Sequence, residues 1–193
     1  MASHFFAVLS RMKFIPRWSL MRNTRTENLC EHSYDTAVLA HALAELTNTR
    51  FGGQVDVGRC VLLALYHDAP EILTGDLPTP VKHGDPAMCA AYAAVERTAV
   101  DRLLGKLPDD LRPAYAALLS DAADDAERRI VKAADKLSAL IKCIEEEQQG
   151  NREFAAARAA TEAAVRALGL PAADCFLEEF LPSYALTLDE QEG

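Results

Sequence analysis

The chain predicts an all-α fold, a single compact helical bundle of about seven to eight helices. Three observations carry that expectation. Alanine is abundant, and the alternation of β-branched residues that marks strands is missing. Asp85 and Pro86 are placed to open a helix and Gly105 to close it. An apolar stripe of Ile130, Ala134, Leu137, Ile141 and Ile144 recurs at steps of four and three, the period of one helical face.

Taken in order, a short first helix starts with Ser3 as its cap and stops before Pro16. An irregular stretch over 15–23 precedes a second helix, from about Glu27 to Thr47. The third covers about Asp56 to Asp68, because the following Pro70 disfavours helical backbone before it. Thr74-Gly75-Asp76-Leu77-Pro78-Thr79-Pro80 is a loop rich in turn residues. The fourth helix follows Asp85, and a short fifth covers about Pro108 to Ser120. The sixth begins near Asp124, with Glu127 in capping-box register, and stops at Gly150. Asn151 to Gly169 forms the seventh, and Pro171 opens an eighth through about Leu181. No repeat, low-complexity tract or long linker interrupts the 193 residues. They read as one domain, 1–193, with a metal-ligand core at about 27–145.

Composition narrows the function. Net charge is −9 and no Lys/Arg-rich block occurs, which argues against a nucleic-acid polymer as partner. One small phosphorylated ligand, held by a local Arg, remains compatible. Five cysteines without a CxxC pair suit reduced thiols in the cytoplasm better than a disulfide framework. The apolar stretch at 5–9 is too short for a signal peptide, and no run nears the ~18 apolar residues of a membrane helix.

His67-Asp68 closes the apolar run 61–70, where a carboxylate is costly unless paired, hydrogen-bonded or bound to a metal. His32 and Asp135 complete a set ordered His…His-Asp…Asp on three predicted helices. His32 shares a helical face with Thr36 and Leu39, and Asp135 lies one residue off the apolar stripe. His41 points away from His32, while His4 and His83 read as surface or capping groups. Two imidazoles and two carboxylates suit one first-row transition cation, not an all-oxygen Mg or Ca site. Such an ion lowers the pKa of water from about 15.7 towards ~7–9, which points to phosphate-ester hydrolysis. Singly, each residue has an ordinary alternative: a chance dipeptide, a capping His, an Asp paired with Lys132.

The ordered set resembles the HD-domain superfamily of metal-dependent phosphohydrolases. Within it the chain is similar to the bacterial YfbR-like 5′-deoxynucleotidases. That closer likeness lies in Ser3-His4-Phe5-Phe6, Arg17-Trp18, Leu20-Met21-Arg22-Asn23, Glu27-Asn28 and Glu31-His32-Ser33. It continues in Tyr66-His67-Asp68-Ala69-Pro70-Glu71 and the loop from Leu73 to Lys82, and returns in Phe180-Leu181-Pro182-Ser183 and 186–190. Pro70, where relatives often carry Ser, is a minor local change. The resemblance implies an all-helical homodimer with one divalent transition metal ion (Co, Mn, Fe, Zn or Cu). It implies hydrolysis of 2′-deoxynucleoside 5′-monophosphates to deoxynucleoside and phosphate, broad for base and selective against ribonucleotides.

Residue roles follow from that resemblance. His32, His67, Asp68 and Asp135 hold the ion, and Asp68 and Asp135 also meet the substrate. Glu71 moves protons on the attacking water or the leaving 5′-oxygen. Arg17 grips the phosphate, and Trp18 walls off the sugar's 2′ position. Asp76 aligns the water or contacts the sugar, and Asp76, Leu77, Pro78 and Thr79 line the nucleotide pocket. Taken alone, Arg17 and Glu71 are solvated groups, Trp18 is core, and Asp76 is turn chemistry. Two other readings stay open: HD-type hydrolysis of another phosphorylated nucleotide, and a non-catalytic metal or nucleotide sensor.

Overall fold

The structure is a computed structural model that describes residues 2–78, 82, 85–120 and 125–192. Among these residues helix dominates and no strand occurs, as the all-α expectation requires. The chain divides into two compact units.

The first unit comprises Met1–Arg22, Thr26–Ser33 and Leu65–Ala122. It opens with α1 (Phe5–Leu9), continued by a 3-10 turn over Ser10–Phe14. His4, not Ser3, stands at the cap position, and Ser3 Oγ donates instead to the Lys106 carbonyl at 2.7 Å. Past Pro16 the chain doubles back on itself. The Arg17 N–H donates to Glu27 O at 2.9 Å and the Leu29 N–H to Ile15 O at 3.1 Å, fastening 15–17 against 27–29. There α2 (Leu29–Arg50) begins. Asn28 Oδ1 accepts from the Cys30 and Glu31 N–H groups while Glu31 Oε2 accepts the Asn28 N–H, a capping box that moves the start from Glu27 to Asn28.

Helix α3 (Val57–Tyr66) ends two residues before Asp68, and the chain turns through 67–70 into α4 (Glu71–Thr74). Pro70 therefore starts a helix as well as ending one, since its missing N–H goes unused at a helix N-terminus. Helix α5 (Pro86–Leu104) matches its expected punctuation: the Asp85 side chain accepts the Met88 N–H at 2.9 Å, and Gly105 follows the last turn. Helix α6 (Arg112–Leu119) starts four residues later than Pro108. Phe5, Met12, Leu29, Ala69, Leu103, Leu107 and Leu119 form the buried core of this unit.

The second unit comprises Asn23–Arg25, Tyr34–Ala64 and Ala123–Gly193. Its axis is α7 (Ala126–Gln148), on which Ile130, Ala134, Leu137, Ile141 and Ile144 are all buried. Asp124 lies outside the described residues; Asp125 is the cap, accepting the Arg128 N–H. Glu127 pairs with Arg59 at 2.9 Å and accepts the Asp56 N–H at 3.2 Å. A 3-10 turn (Arg152–Phe154) leads into α8 (Ala155–Ala167), which packs along α7. Then come α9 (Pro171–Glu179) and, after a 3-10 turn at Leu181–Ala185, α10 (Leu188–Gln191).

Within this unit Glu146, 1% exposed, ties α7 to the 23–25 segment. It accepts from the Thr24 N–H and hydroxyl, from Asn151 Nδ2 and from Lys142, whose ammonium also donates to the Arg25 carbonyl at 2.6 Å. Burial alone would raise this carboxyl; the Lys142 ammonium and the other donors hold it well below the usual range. No helix among the described residues is long and apolar enough to cross a membrane.

Candidate metal centre

The capping box at Asn28 and Glu31 sets the phase of α2, so that His32 turns inward and is fully buried beside Thr36 and Leu39. His41 sits exposed on the opposite side, as its spacing requires. His67 and Asp68 lie in the turn after α3, locked by the Ala69 N–H to Tyr66 O and the Glu71 N–H to Asp68 O. That turn replaces the expected final helical turn and aims both side chains at His32. His32 Nε2 and His67 Nε2 lie 3.3 Å apart, and Asp68 Oδ2 lies 3.4 Å from the first and 3.2 Å from the second. His32, His67 and Asp68 all belong to the first unit, and Asp135 belongs to the second. Asp135 is half-buried on α7 beside buried Ala134, the flank position expected of it.

These separations fit a cation. Ligands at about 2.1 Å from one ion, about 90–109° apart, stand about 3.0–3.4 Å from one another. Ring nitrogens aimed at each other and at a carboxylate oxygen otherwise need protons to hold them together. Burial alone would raise the Asp68 carboxyl, but His67, His32 and Arg17 hold it well below the usual carboxylate range.

Glu71 is the first residue of α4 and is 5% exposed. Burial foremost, then the charges of Asp68 and Asp76, push its carboxyl up to about 8, against the pull of Lys82. Lys82 Nζ lies 3.3 Å from Glu71 Oε1, and Glu71 Oε2 is buried with no hydrogen-bond partner among the described residues.

Arg17 and Trp18 stand on the doubled-back segment. Arg17 Nη1 donates to Glu27 Oε2 at 2.7 Å and Trp18 Nε1 donates to the same oxygen at 3.1 Å. Trp18 has φ 58°, a left-handed conformation that costs a side-chain-bearing residue about 1–3 kcal/mol. Asp76 Oδ2 accepts the Trp18 N–H at 3.1 Å and thereby supports that conformation. Gly75, at φ 74°, makes the turn that carries Asp76 there. Burial raises the Asp76 carboxyl, opposed by Arg17 and by the Trp18 N–H. Leu77 and Pro78 follow, half-buried, and Thr79 lies outside the described residues.

Sequence reasoning missed two residues. Glu27 orients both Arg17 and Trp18, yet in the sequence it stands out only as one residue of a matching segment, with no role attached. Lys82 was visible only as one residue of a matching loop.

Comparison with known proteins places these features in a family. A family described as 5′-deoxynucleotidase YfbR-like matches residues 4–184. The 5′-deoxynucleotidase YfbR of Escherichia coli is 50% identical over 189 residues, 97% of this chain and 95% of that protein. An HD-domain phosphohydrolase from Listeria innocua superposes with a TM-score of 0.84 at 24% identity, covering 98% of this chain and 92% of that one, which establishes the fold. The cyanophage S-2L HD phosphohydrolase DatZ, solved with dA and one catalytic Zn2+ ion, matches at a TM-score of 0.54 and 25% identity, over 72% of this chain and 69% of that one.

Proposed function

The chain belongs to the YfbR-like 5′-deoxynucleotidase family, and from that premise we propose that it is a metal-dependent 5′-deoxynucleotidase, a phosphoric monoester hydrolase. It cleaves 2′-deoxynucleoside 5′-monophosphates to deoxynucleoside and phosphate, broadly for base and selectively against ribonucleotides. The observation that carries this reading is the approach of the His32 and His67 ring nitrogens to 3.3 Å with Asp68 Oδ2 against both. The Zn2+ and dA of the cyanophage relative support the choice of ion class and ligand class.

His32, His67, Asp68 and Asp135 hold one divalent ion, drawn from Co, Mn, Fe, Zn and Cu. When bound, the ion supplies Lewis-acid charge to a phosphoryl oxygen and acidifies water. Arg17, oriented by Glu27, binds the phosphate and offsets charge that grows in the transition state. Trp18, fixed by Glu27 and Asp76, closes the space a 2′-hydroxyl would need. Glu71 moves the proton at the attacking water or the leaving 5′-oxygen, a task that suits a carboxyl poised at about 8. Asp68 and Asp135 also meet the substrate, and Asp76, Leu77, Pro78 and Thr79 line its pocket.

In the same proposal the chain works as one HD phosphohydrolase domain over 1–193, as a homodimer, in the cytoplasm, where its five free cysteine thiols stay reduced. Phosphate release from paired deoxy- and ribonucleoside monophosphates, with and without chelator, tests the function. Deoxynucleotides should be cleaved preferentially and only with metal. Equal cleavage by chelator-stripped protein would overturn the assignment.

A further inference from the structure

Lys82 is the cation of a bracket that grips α4 from α5. Its ammonium lies 3.3 Å from Glu71 Oε1 and 3.0 Å from Glu96 Oε1. The same ammonium lies 4.7 Å from the centroid of the Tyr92 ring. Tyr92 and Glu96 stand four residues apart on one face of α5. Tyr92 Oη lies 3.3 Å from Thr74 Oγ1, so α5 meets the first residue of α4 through Lys82 and the last through Tyr92. Tyr92 is 7% exposed and Glu71 5% exposed, whereas the Lys82 and Glu96 side chains are 26% and 30% exposed, so the bracket is shielded on its Glu71 side and open to solvent on its Glu96 side.

The two oxygens of Glu71 are thereby made unequal. Oε1 faces the ammonium, whereas Oε2 is buried without a hydrogen-bond partner among the described residues. A buried carboxyl oxygen left unpaired calls for a functional reason. Resting on the reading of Glu71 as the proton-handling group, we propose that Lys82 is a positioning residue for the reaction: held by Glu96 and the face of Tyr92, it occupies Glu71 Oε1 and reserves Oε2 for the proton. Lys82 acts through Glu71 and leaves substrate binding to other residues. Glu96 is its anchor.

The test uses full-length, metal-loaded protein, with phosphate release from deoxyadenosine 5′-monophosphate giving kcat and KM separately. The variants are Glu71→Gln, Lys82→Met, Lys82→Arg, Glu96→Gln and the double variant Glu71→Gln/Lys82→Met. Lys82→Met should lower kcat at least about tenfold with KM little changed, within the range that proton-transfer groups contribute. Lys82→Arg should recover most of that loss, and Glu96→Gln should show a smaller loss of the same kind. In the Glu71→Gln background, Lys82→Met should cost nothing further, because both changes disable one device.

An unchanged kcat in Lys82→Met beside an inactive Glu71→Gln would overturn the Lys82 role and leave Glu71 standing. So would a rise in KM alone, which would make Lys82 a substrate-binding group, or full additivity in the double variant. Full turnover by Glu71→Gln would overturn the reading of Glu71 and the role of Lys82 together. Where Lys82→Met fails to fold, Lys82→Arg and Glu96→Gln decide: wild-type kcat in Glu96→Gln, or an unrecovered loss in Lys82→Arg with KM raised, rejects the proposal.

Discussion

Glu71 combines burial with two like charges, and its proton equilibrium bears on folding as well as on the proposed catalysis. Its folded value of about 8 exceeds the ordinary 4.5, so the native state holds a proton that the unfolded chain gives up. The stability this contributes is complete below about 4.5 and is lost as pH rises through about 8. Metal-free wild type should therefore lose Tm between pH 5 and 9 more steeply than Glu71→Gln, whose amide does not titrate; parallel curves from calorimetry would remove Glu71 as the cause. Arg17 makes a different prediction, because in the proposed role its charge acts on the transition state. Arg17→Ala should lower kcat by about 10²–10³ while the ion remains bound, checked by metal analysis of the same sample. Trp18→Ala should raise ribonucleotide turnover relative to deoxynucleotide, and intact discrimination would end the steric account. The order His…His-Asp…Asp was legible because rare ligand types sat where apolar residues belonged. Glu27 and Lys82 were not legible, since each acts through a partner that only the folded chain brings within 3.3 Å.

At the scale of elements, punctuation was legible wherever it was chemical. Asp85, Pro86 and Gly105 bound α5 where the sequence puts them, because each supplies or withholds a particular backbone hydrogen bond. Hydroxyls and acids near helix starts were less decisive. Ser3, Asp124 and Glu127 all read as caps, but Ser3 is drawn to Lys106 O and Glu127 to Arg59, contacts distant in sequence. The short α4 was hidden because Pro70 signals a stop more loudly than a restart. The stripe on α7 was fully legible, and its burial predicts the cost of disturbing it. Leu137 is 0% exposed, so Leu137→Ala should destabilise by about 2–5 kcal/mol in urea titration. Glu146 should cost as much for another reason. Glu146→Ala leaves the Lys142 ammonium buried without its counter-charge, a loss of about 3–5 kcal/mol, and Glu146→Gln should lose less because it still accepts hydrogen bonds. Equal stability of Glu146→Ala and wild type would show the network to be dispensable.

For the molecule as a whole, the proposed metal ligands come from positions 32, 67, 68 and 135, segments that an unfolded chain keeps apart. An ion that needs them together binds the native state far better than the unfolded one, so its binding free energy adds to folding. At a concentration one hundred times its Kd that addition is about 2.7 kcal/mol. The ligand set, rich in imidazole, also ranks the ions: Zn2+ or Co2+ should act at lower concentration than Mg2+, which prefers oxygen ligands and gives up its waters reluctantly. Thermal unfolding of chelator-stripped protein should therefore move upward with added Zn2+, Co2+ or Mn2+ and hardly at all with Mg2+. His67→Ala should remove most of that shift while leaving the Tm of the stripped protein near wild type, since His67 is only half-buried. A shift that survived in His67→Ala, or that Mg2+ reproduced at equal concentration, would place the stabilising ion elsewhere and detach the histidine pair from the metal.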